Sequence, residues 1–289
     1  MIRINNYSID SEFALKIALL SDIHFSSREQ LYKFANIVSS LKESNPDYIC
    51  IPGDTIDYLD LMNDKDLLNA LTVFFIDLTS ICPVVVSIGN HDLMTLDKTI
   101  NADKKMAALL AFWKKIKGLY ILNNESIEFD NINFIGITQD SSIPANDIDE
   151  VARDTMDKLQ PFTSLISDNK LNCLLLHNPT VFESKTIPED MFGIDLVLSG
   201  HMHNGCIPIG LDKVLKTHRG LIYPSKKLFP KFARGFVHFK NFDLVISKGV
   251  TTFSKTSKFF QKLNFLFPQN IEILDIGEHR EEVKNRVRR

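Results

Sequence analysis

Short apolar runs alternate with amphipathic segments along the first two hundred residues. Each run is largely aliphatic, carries no charge beyond its first position and ends in a polar turn. The runs cover residues 16–20, 48–51, 84–88, 174–176 and 196–198. This pattern predicts strands that are buried on both faces, as in a parallel sheet.

The segments between these runs have helical periodicity. In the first, apolar residues recur at helical spacing over 31–41, after a Ser-Ser-Arg-Glu sequence at 26–29 that resembles a capping box. Two further helices are predicted at about 64–79 and about 101–117, and Gly118 is placed to end the second. Alternating strands and helices predict a layered α/β fold whose ligand site lies beyond the carboxyl ends of the strands.

Polar strings follow the predicted strands and contain five of the eight histidines. They are Asp22-Ile-His24, Gly53-Asp54-Thr-Ile-Asp57, Gly89-Asn90-His91-Asp92, His177 and Gly200-His201-Met-His203. Imidazole, carboxylate and amide groups that converge from rigid strand ends bind a divalent ion with little loss of entropy. Any one string alone would be an ordinary turn. Five in order predict a metal site, and we expect two ions because one would leave several side chains unused.

The order and spacing of these strings resemble the calcineurin-like metallophosphoesterase superfamily, whose motifs are D-x-H, G-D-x-x-D, G-N-H-[DE], H and G-H-x-H. All five motifs are present and together span residues 22–203. The resemblance implies a four-layer α/β/β/α sandwich of two mixed β-sheets flanked by helices, and it also implies which residues bind each ion. One ion would be bound by Asp22, His24, Asp54 and His203, and the other by Asp54, Asn90, His177 and His201, with Asp54 bridging the two.

The same resemblance implies a hydrolase that cleaves phosphate ester or pyrophosphate bonds, in which a hydroxide between the two ions attacks phosphorus in line. His91 would protonate the departing oxygen, and either Asp92 or Asp57 would fix its imidazole by a hydrogen bond. The ligand types suit manganese, ferrous or ferric iron, and zinc comparably. We therefore expect two divalent or mixed-valence ions and leave the identity of the metal open.

Two alternative functions fit the same residues. A cyclic-nucleotide or small-molecule phosphodiesterase would use the same motifs. A catalytically silent metal-binding scaffold is the alternative from another class, although a decayed site would lack ligands and none is missing here. The phenylalanines and tyrosines are not interleaved with basic residues along the strand runs, which disfavours a nucleic-acid substrate.

Charge is distributed unevenly along the chain. Residues 211–262 contain twelve lysines or arginines and two acidic residues, whereas the whole chain has a net charge of −3. Because this segment follows the last metal motif directly, its cations are candidates for binding the anionic groups of a substrate. The candidates are Arg219, Lys226, Lys227 and Arg234, together with Lys216, His218 and Lys231. The alternative is a solvated basic face unconnected with the site.

The last part of the chain adds strands and an aromatic segment. Residues 235–239 and 243–247 are predicted to pair as a hairpin of the second sheet. The segment 255–267 mixes three lysines with four phenylalanines, so it either contacts a membrane surface or an acyl chain, or covers an edge of the core. Residues 249–252 and 271–276 resemble the closing strands of a bacterial branch that includes lipid-linked and UDP-diacylglucosamine hydrolases. This resemblance implies a phosphorylated small molecule or lipid, or a nucleotide-linked one, as substrate.

Composition sets the remaining expectations. The chain of 289 residues is 44% hydrophobic and 24% charged, which suits one domain at 1–277 followed by a charged, frayed or disordered tail at 278–289. No apolar run is long enough to span a membrane and no signal peptide is recognisable, which predicts a cytoplasmic protein, peripheral at the membrane at most. The four cysteines lack metal-type pairing and are expected to be small buried residues in a reducing compartment. The sequence does not predict the oligomeric state.

Overall fold

Two six-stranded β-sheets form the centre of the fold. The structure is a computed structural model, and it describes residues 2–144, 146–211, 218–222, 228–252, 263–267 and 269–278. The first sheet contains, in spatial order, β1 (Ile2–Asp10), β12 (Gln269–Gly277), β2 (Leu15–Leu19), β3 (Tyr48–Pro52), β4 (Val84–Ser87) and β5 (Leu119–Leu122). The second contains β10 (Gly235–His238), β11 (Asp243–Ile246), β9 (Leu196–Ser199), β8 (Leu171–Leu176), β7 (Ile132–Ile137) and β6 (Glu125–Glu128). Each sheet combines parallel and antiparallel neighbours, so both are mixed.

The five strands predicted from the apolar runs are all present. They correspond to β2, β3 and β4 in the first sheet and to β8 and β9 in the second, and within each sheet they pair in parallel. Their carboxyl ends therefore lie along one edge of each sheet. The predicted hairpin consists of β10 and β11, which pair antiparallel and extend the second sheet.

The two sheets pack face to face through a shared apolar layer. Leu19 of β2 and Cys50 of β3 lie in one buried cluster with Phe134 of β7 and Leu175 of β8. Side chains alternate along a strand, so Ile49 points to the opposite face and packs in a second cluster with the helices that cover the first sheet. A third cluster lies on the outer face of the second sheet. The result is the predicted four-layer α/β/β/α sandwich.

The described part of the chain contains five α-helices. Four of them form the outer layers, and the short third helix carries the motif that begins at Asn90. The five helices are α1 (Leu31–Ser44), α2 (Lys65–Thr79), α3 (Asn90–Leu93), α4 (Ala102–Trp113) and α5 (Ile148–Leu159). Helices α1, α2 and α4 cover the first sheet and α5 covers the second. Asp64 caps α2 and Asn101 caps α4, each accepting a hydrogen bond from a backbone N–H of the first turn. These two side chains fix the starts of α2 and α4 within one residue of the predicted positions.

Three details of the prediction are wrong. Helix α4 ends at Trp113 rather than near residue 117, because a separate turn leads from it to Gly118 and β5. The sequence placed the capping side chain before α1 at Glu29. The structure has it at Gln30, whose side-chain oxygen accepts hydrogen bonds from the backbone N–H groups of Ser26 and Ser27. Residues 249–252 form no strand; they run beside Asp22 as an irregular segment.

Other parts of the fold carry little sequence signal or lie outside the described residues. Strand β1 is an edge strand whose alternate residues are exposed, and it pairs with β12 from the far end of the described chain. Among the described residues, no helix is both long enough and apolar enough to cross a bilayer. The aromatic segment up to residue 262 and the tail beyond residue 278 fall outside the description. The proposed domain boundary therefore stays a prediction.

Candidate metal centre

The five motifs meet where the central strands of both sheets end. Asp22 follows β2 and Asp54 follows β3, while Asn90 opens α3 just after β4. From the second sheet, His177 directly follows β8 and His201 lies two residues after β9. The backbone N–H of His201 donates to Asp22 Oδ1 at 3.0 Å, across 179 residues of sequence. The shared edge of the two sheets thus brings the predicted ligands into one place.

The side chains form two groups of three ligand atoms, and a third group joins them. Within each group the ligand atoms lie within 4.8 Å of one another. The two groups are Asp22, His24 and His203, and Asp54, His177 and His201; the joining group is His24, Asp54 and His91. Asp54 Oδ2 lies 3.0 Å from His177 Nε2 and 3.7 Å from His24 Nε2, so this atom faces both groups. Asn90 lines a cavity together with His177 and His201, which puts it beside the second group.

Backbone carbonyls set the tautomers of two histidines. His177 Nδ1–H donates to the Pro52 carbonyl and His203 Nδ1–H donates to the Thr251 carbonyl, both at 2.7 Å. Each ring therefore presents the lone pair of Nε2 to the site, as metal-binding histidines do. The Nε2 lone pair of His177 faces the Asp54 carboxylate at 3.0 Å. Either a proton on Nε2 or a bound cation would satisfy both atoms.

Burial keeps the histidines of the last motif neutral. Burial, together with the charge of His177, holds the pKa of His201 well below its ordinary value, and burial lowers the pKa of His203. In the Asp54–His177 pair, burial acts against the charged form of each side chain. The attraction between the carboxylate and the imidazolium is stronger, so the pKa of Asp54 falls and that of His177 rises. Neutral imidazole and ionised carboxylate are the forms that bind divalent ions. The lowered pKa values of Asp54, His201 and His203 therefore suit metal ligands, whereas the raised pKa of His177 follows from the negative charge of Asp54 beside it.

Two buried atoms at the junction of the groups have no hydrogen-bond partner among the described residues. They are Asp54 Oδ2 and His24 Nε2. An unsatisfied buried polar atom costs about 1–3 kcal/mol, and more when it is charged. Divalent ions bound by the two groups would satisfy both atoms. The nitrogen and oxygen donors therefore fit the two ions that the sequence implies.

Left-handed backbone conformations are concentrated in the ligands. The residues with φ between 46° and 70° include Asp22, His24, Asp54, His201 and His203. A non-glycine residue in this region costs roughly 1–3 kcal/mol, so the surrounding structure must hold it there. Close packing of the motif glycines contributes, since a Cβ on Gly89 would overlap Asp54 and a Cβ on Gly200 would overlap Ser21. Strain of this kind is typical of functional sites.

The structure separates the roles of Asp57 and Asp92, the two aspartates that the sequence offers as partners of the His91 ring. Asp57 Oδ1 accepts a hydrogen bond from His91 Nδ1 at 3.0 Å, so Asp57 is the residue that orients the ring. Asp92 instead accepts from the backbone N–H groups of Asp54, Ile56 and Gly89 at 2.8–2.9 Å. It therefore braces the loop that carries Asp54. Burial acts to raise the pKa of Asp57, but the contacts with its histidine neighbours lower it.

His91 has the surroundings of a proton donor. Its side chain is 23% exposed, and its backbone N–H donates to Asp54 Oδ1 at 2.8 Å. Burial acts to lower the pKa of His91, but the hydrogen bond to Asp57 and the charges of Asp54 and Asp57 outweigh it and raise the pKa to about 9. At neutral pH the imidazole is therefore protonated, which is the form that a general acid needs.

A match to a family of known proteins covers all five motifs. The family model for calcineurin-like phosphoesterases matches residues 15–205. The chain belongs to the calcineurin-like phosphoesterase family. It is 27% identical over 228 residues to the uncharacterized metallophosphoesterase Cj0846 of Campylobacter jejuni, which covers 78% of this chain and 49% of that protein. An uncharacterized metallophosphoesterase of Helicobacter pylori is 26% identical over 231 residues, covering 77% of this chain and 55% of that protein.

Similarity to a solved structure extends over most of the chain. A dimetal phosphatase from Danio rerio covers 82% of this chain and 88% of its own, with a TM-score of 0.44 and 11% sequence identity. The chain spans about half the length of the two curated relatives named above. What this calcineurin-like phosphoesterase acts on is therefore a matter for proposal.

The basic residues that the sequence suggests for substrate binding have different surroundings in this member of the family. Arg219 is exposed and lies in a segment that hydrogen-bonds to the Gly205 carbonyl at 2.9 Å, next to the last metal motif. Arg234 is buried, and its charge acts on a tyrosine of β1. Lys226 and Lys227 lie outside the described residues. Among the described candidates, Arg219, His218 and Lys231 are exposed and Arg234 is buried.

One segment of the phosphoesterase site carries no motif and was not predicted from the sequence. In residues 247–251, two backbone N–H groups donate to the carbonyls of residues 21–22 at 2.9 and 3.0 Å, and the Thr251 carbonyl accepts from His203. The buried carboxylate of Glu272 accepts from a hydroxyl and a backbone N–H of this segment at 2.8 and 3.1 Å. Contacts through backbone carbonyls leave no side-chain pattern, so the sequence does not reveal them.

Proposed function

We propose that the protein is a metal-dependent phosphoesterase that hydrolyses phosphate ester or pyrophosphate bonds. The observation that carries this proposal is the pair of ligand groups that meet at Asp54 Oδ2, 3.0 Å from His177 Nε2 and 3.7 Å from His24 Nε2. Two divalent ions held there would lower the pKa of a bound water molecule and neutralise charge on the phosphoryl oxygens. Membership of a phosphoesterase family supports the same chemistry.

The roles around the ligands fall to neighbouring side chains. His91, held by Asp57 at 3.0 Å, would give its proton to the oxygen that leaves phosphorus. Asn90 lines the cavity beside the second ligand group, where its amide would stabilise charge on a phosphoryl oxygen. Asp92 would keep Asp54 in place through the backbone hydrogen bond of 2.9 Å. We propose manganese, iron or zinc as the ions and a phosphorylated small molecule, free or linked to a lipid or nucleotide, as the substrate.

Metal analysis and a substrate panel test this function. We expect the purified protein to hold close to two equivalents of manganese, iron or zinc, and to hydrolyse an aryl phosphate in the presence of manganese. A chelator should abolish turnover, and added metal should restore it, because the ions supply the chemistry that no side chain here replaces. The panel compares phosphate monoesters, diesters and pyrophosphates, with short-chain and long-chain carriers, across several divalent ions.

Each outcome of the panel separates the proposal from an alternative. Bound metal without turnover of any ester would favour the metal-binding scaffold. A strong preference for cyclic nucleotides or small diesters would favour the phosphodiesterase and would remove the lipid-linked substrate. Turnover that survives complete removal of metal would contradict the proposed chemistry itself.

A second part of the proposal is peripheral contact of a cytoplasmic protein with an anionic membrane surface. The support is a set of exposed apolar side chains, Ile209 (50% exposed), Leu228 (65%), Phe229 (59%) and Phe265 (74%). The backbone N–H of Ile209 donates to the carbonyl of Leu266 at 2.9 Å, which joins two of the three segments that carry these side chains. Residues 211–262 are strongly basic, which suits anionic lipids. The four cysteines are free thiols, as in a reducing compartment.

Vesicle binding tests the membrane contact. We expect the protein to sediment with vesicles of phosphatidylcholine and phosphatidylglycerol, and more weakly with phosphatidylcholine alone. The double substitution Phe229→Ser and Phe265→Ser should weaken binding by about tenfold or more, since burying one phenylalanine stabilises by roughly 1.5–3 kcal/mol. Phe112→Ser on α4, where the side chain is 42% exposed, is the matched control and should bind as the wild type does. Equal weakening in the control, or no binding by the wild type, would remove this contact.

A further inference from the structure

A cavity of about 240 Å³ opens beside the second ligand group. One wall is formed by Asn90, His177 and His201, so the cavity is continuous with the metal centre. The loop after β7 and Val151 of α5 also line the cavity. Drug-sized ligands occupy pockets of roughly 300–1,000 Å³, so this cavity suits a smaller group.

The lining of the cavity is aliphatic and polar, with one carboxylate. Its apolar residues are Ile88, Ile143, Pro144 and Val151. Among the described residues that line it, there is no lysine or arginine, and histidine is the only ring that is aromatic. Apart from the two ligand histidines, Asp140 is the one ionisable side chain of this lining. The cavity thus offers no stacking surface for a nucleobase and no cation for a second anionic group.

The Asp140 carboxylate is fixed and charged. Its Oδ1 accepts from the backbone N–H of Ser142 at 2.8 Å, and its own N–H donates to Asp154 Oδ2 at 3.2 Å. The hydrogen bonds from Ser142 lower the pKa of Asp140, so the group is ionised at neutral pH. The ammonium group of Lys158 is already bound to Asp154 at 2.8 Å and to the Thr138 carbonyl at 3.0 Å. An exposed negative charge therefore lines the cavity.

Uncharged hydrogen-bonding groups complete the wall next to His177. The Gln139 side-chain oxygen accepts from the backbone N–H of Asn178 at 2.8 Å, which fixes the chain after His177. The Asn178 side-chain oxygen accepts from the N–H and the hydroxyl of Thr180 at 3.0 and 2.8 Å. With its oxygen engaged, the Asn178 amide is held so that its NH₂ is the group left for a ligand. Hydroxyl oxygens are suitable acceptors for such a donor.

We propose that this cavity receives the organic group attached to phosphorus and selects a compact, uncharged, hydroxyl-bearing group over one that carries a second negative charge. The inference rests on the proposed function and names its substrate class: phosphate esters of small neutral alcohols. Size, the absence of a stacking ring and the Asp140 charge act together. Asp140 is the specificity-determining residue, because it repels a second anion at close range without touching the metal ligands.

Binding of two matched phosphates tests this selectivity. Glycerol 3-phosphate and 3-phosphoglycerate have similar size and one phosphate each, but the second also carries a carboxylate. Their dissociation constants are measured by calorimetry on manganese-loaded protein that carries His91→Ala, in which hydrolysis of either ligand should be at least about a hundredfold slower. We expect glycerol 3-phosphate to bind at least about fivefold more tightly, and Asp140→Asn to narrow that ratio by about threefold. Asparagine keeps the oxygen that accepts from Ser142, so the loop retains its hydrogen bond.

A control on the helix that follows the Asp140 loop shows whether the effect is local. Asp157 is exposed on α5 and does not line the cavity, so Asp157→Asn should leave the ratio unchanged. Equal affinity for the two phosphates, or a ratio that Asp140→Asn does not change, would overturn the inference. Aryl phosphate hydrolysis by wild-type protein is measured in parallel. If that activity is absent while the binding ratio behaves as expected, the proposed function fails and the selectivity of the cavity stands.

Discussion

Replacing Asp54 with asparagine is expected to lower kcat by at least about a hundredfold and to reduce the bound metal below two equivalents. Asp54 Oδ2 faces His177 and His24 at 3.0 and 3.7 Å, so it is the atom that both ligand groups share. An amide at this position is neutral and offers one oxygen only. The other carboxylate oxygen accepts from the backbone N–H of His91 at 2.8 Å, and the amide oxygen of asparagine can keep that bond. The fold should therefore survive the change.

Metal content and turnover are measured on the same preparation of this variant. Asp195→Asn is a control away from the site, because Asp195 is an exposed carboxylate that accepts from the Asn172 N–H at 2.8 Å at the opposite end of β9. It should retain two ions and activity within about twofold, as a substitution away from the site does. Full turnover with two ions in Asp54→Asn would remove Asp54 from the bridging role.

The ligand positions could be predicted because the strands that carry them are marked in the sequence. In β4, every residue is buried and the polar motif with Asn90 follows within three residues. The same holds for β8, which is buried throughout and ends directly before His177. A buried parallel strand is a continuous apolar run, so its end is visible wherever polarity changes. Parallel strands end at the same edge of a sheet, so residues at their ends are predicted to lie together even when the loop conformations are unknown.

The partner of His91 could not be chosen from the sequence. Asp57 and Asp92 are both carboxylates close to His91 along the chain or in the neighbouring motif. Which of the two contacts the His91 ring depends on the path of residues 54–57. Ile56 forms a parallel bridge to Phe25 and so continues the pairing of β2 and β3 beyond their ends. This extension brings the Asp57 carboxylate within hydrogen-bond distance of the His91 ring. Contacts between distant segments determine this path, so the local sequence does not predict it.

Strand β1 and the segment that holds His203 were missed for a related reason. Strand β1 pairs with β12 from the far end of the described chain, and its exposed alternate residues give it the polarity of a surface segment. The Thr251 carbonyl fixes His203 through a backbone atom, which any residue type supplies. Pairing over long distances and contacts through the backbone are both independent of side-chain chemistry, so the sequence holds no trace of them.

Replacing His91 with alanine is expected to lower kcat by at least about a hundredfold for an ester with a poor leaving group, while two ions remain bound. His91 contacts Asp57 through Nδ1 at 3.0 Å and belongs to the proposed proton-transfer step, not to the proposed metal ligands. Retention of metal therefore distinguishes this variant from Asp54→Asn. The exposed His238, which pairs with Asp243 at 2.7 Å in the hairpin of β10 and β11, provides the matched control His238→Ala. That control should keep wild-type activity.

The leaving group decides whether His91 acts as a proton donor. A p-nitrophenolate leaves without help from an acid, whereas an alkoxide needs a proton as the bond to phosphorus breaks. We therefore expect His91→Ala to reduce turnover of p-nitrophenyl phosphate about tenfold less than turnover of an alkyl phosphate. Burial acts to lower the pKa of His91, but the hydrogen bond to Asp57 and the charges of Asp54 and Asp57 outweigh it and raise the pKa to about 9, so the wild-type ring carries that proton at neutral pH. Equal losses for the two esters would mean that His91 supports the site in another way, and that the proton comes from elsewhere.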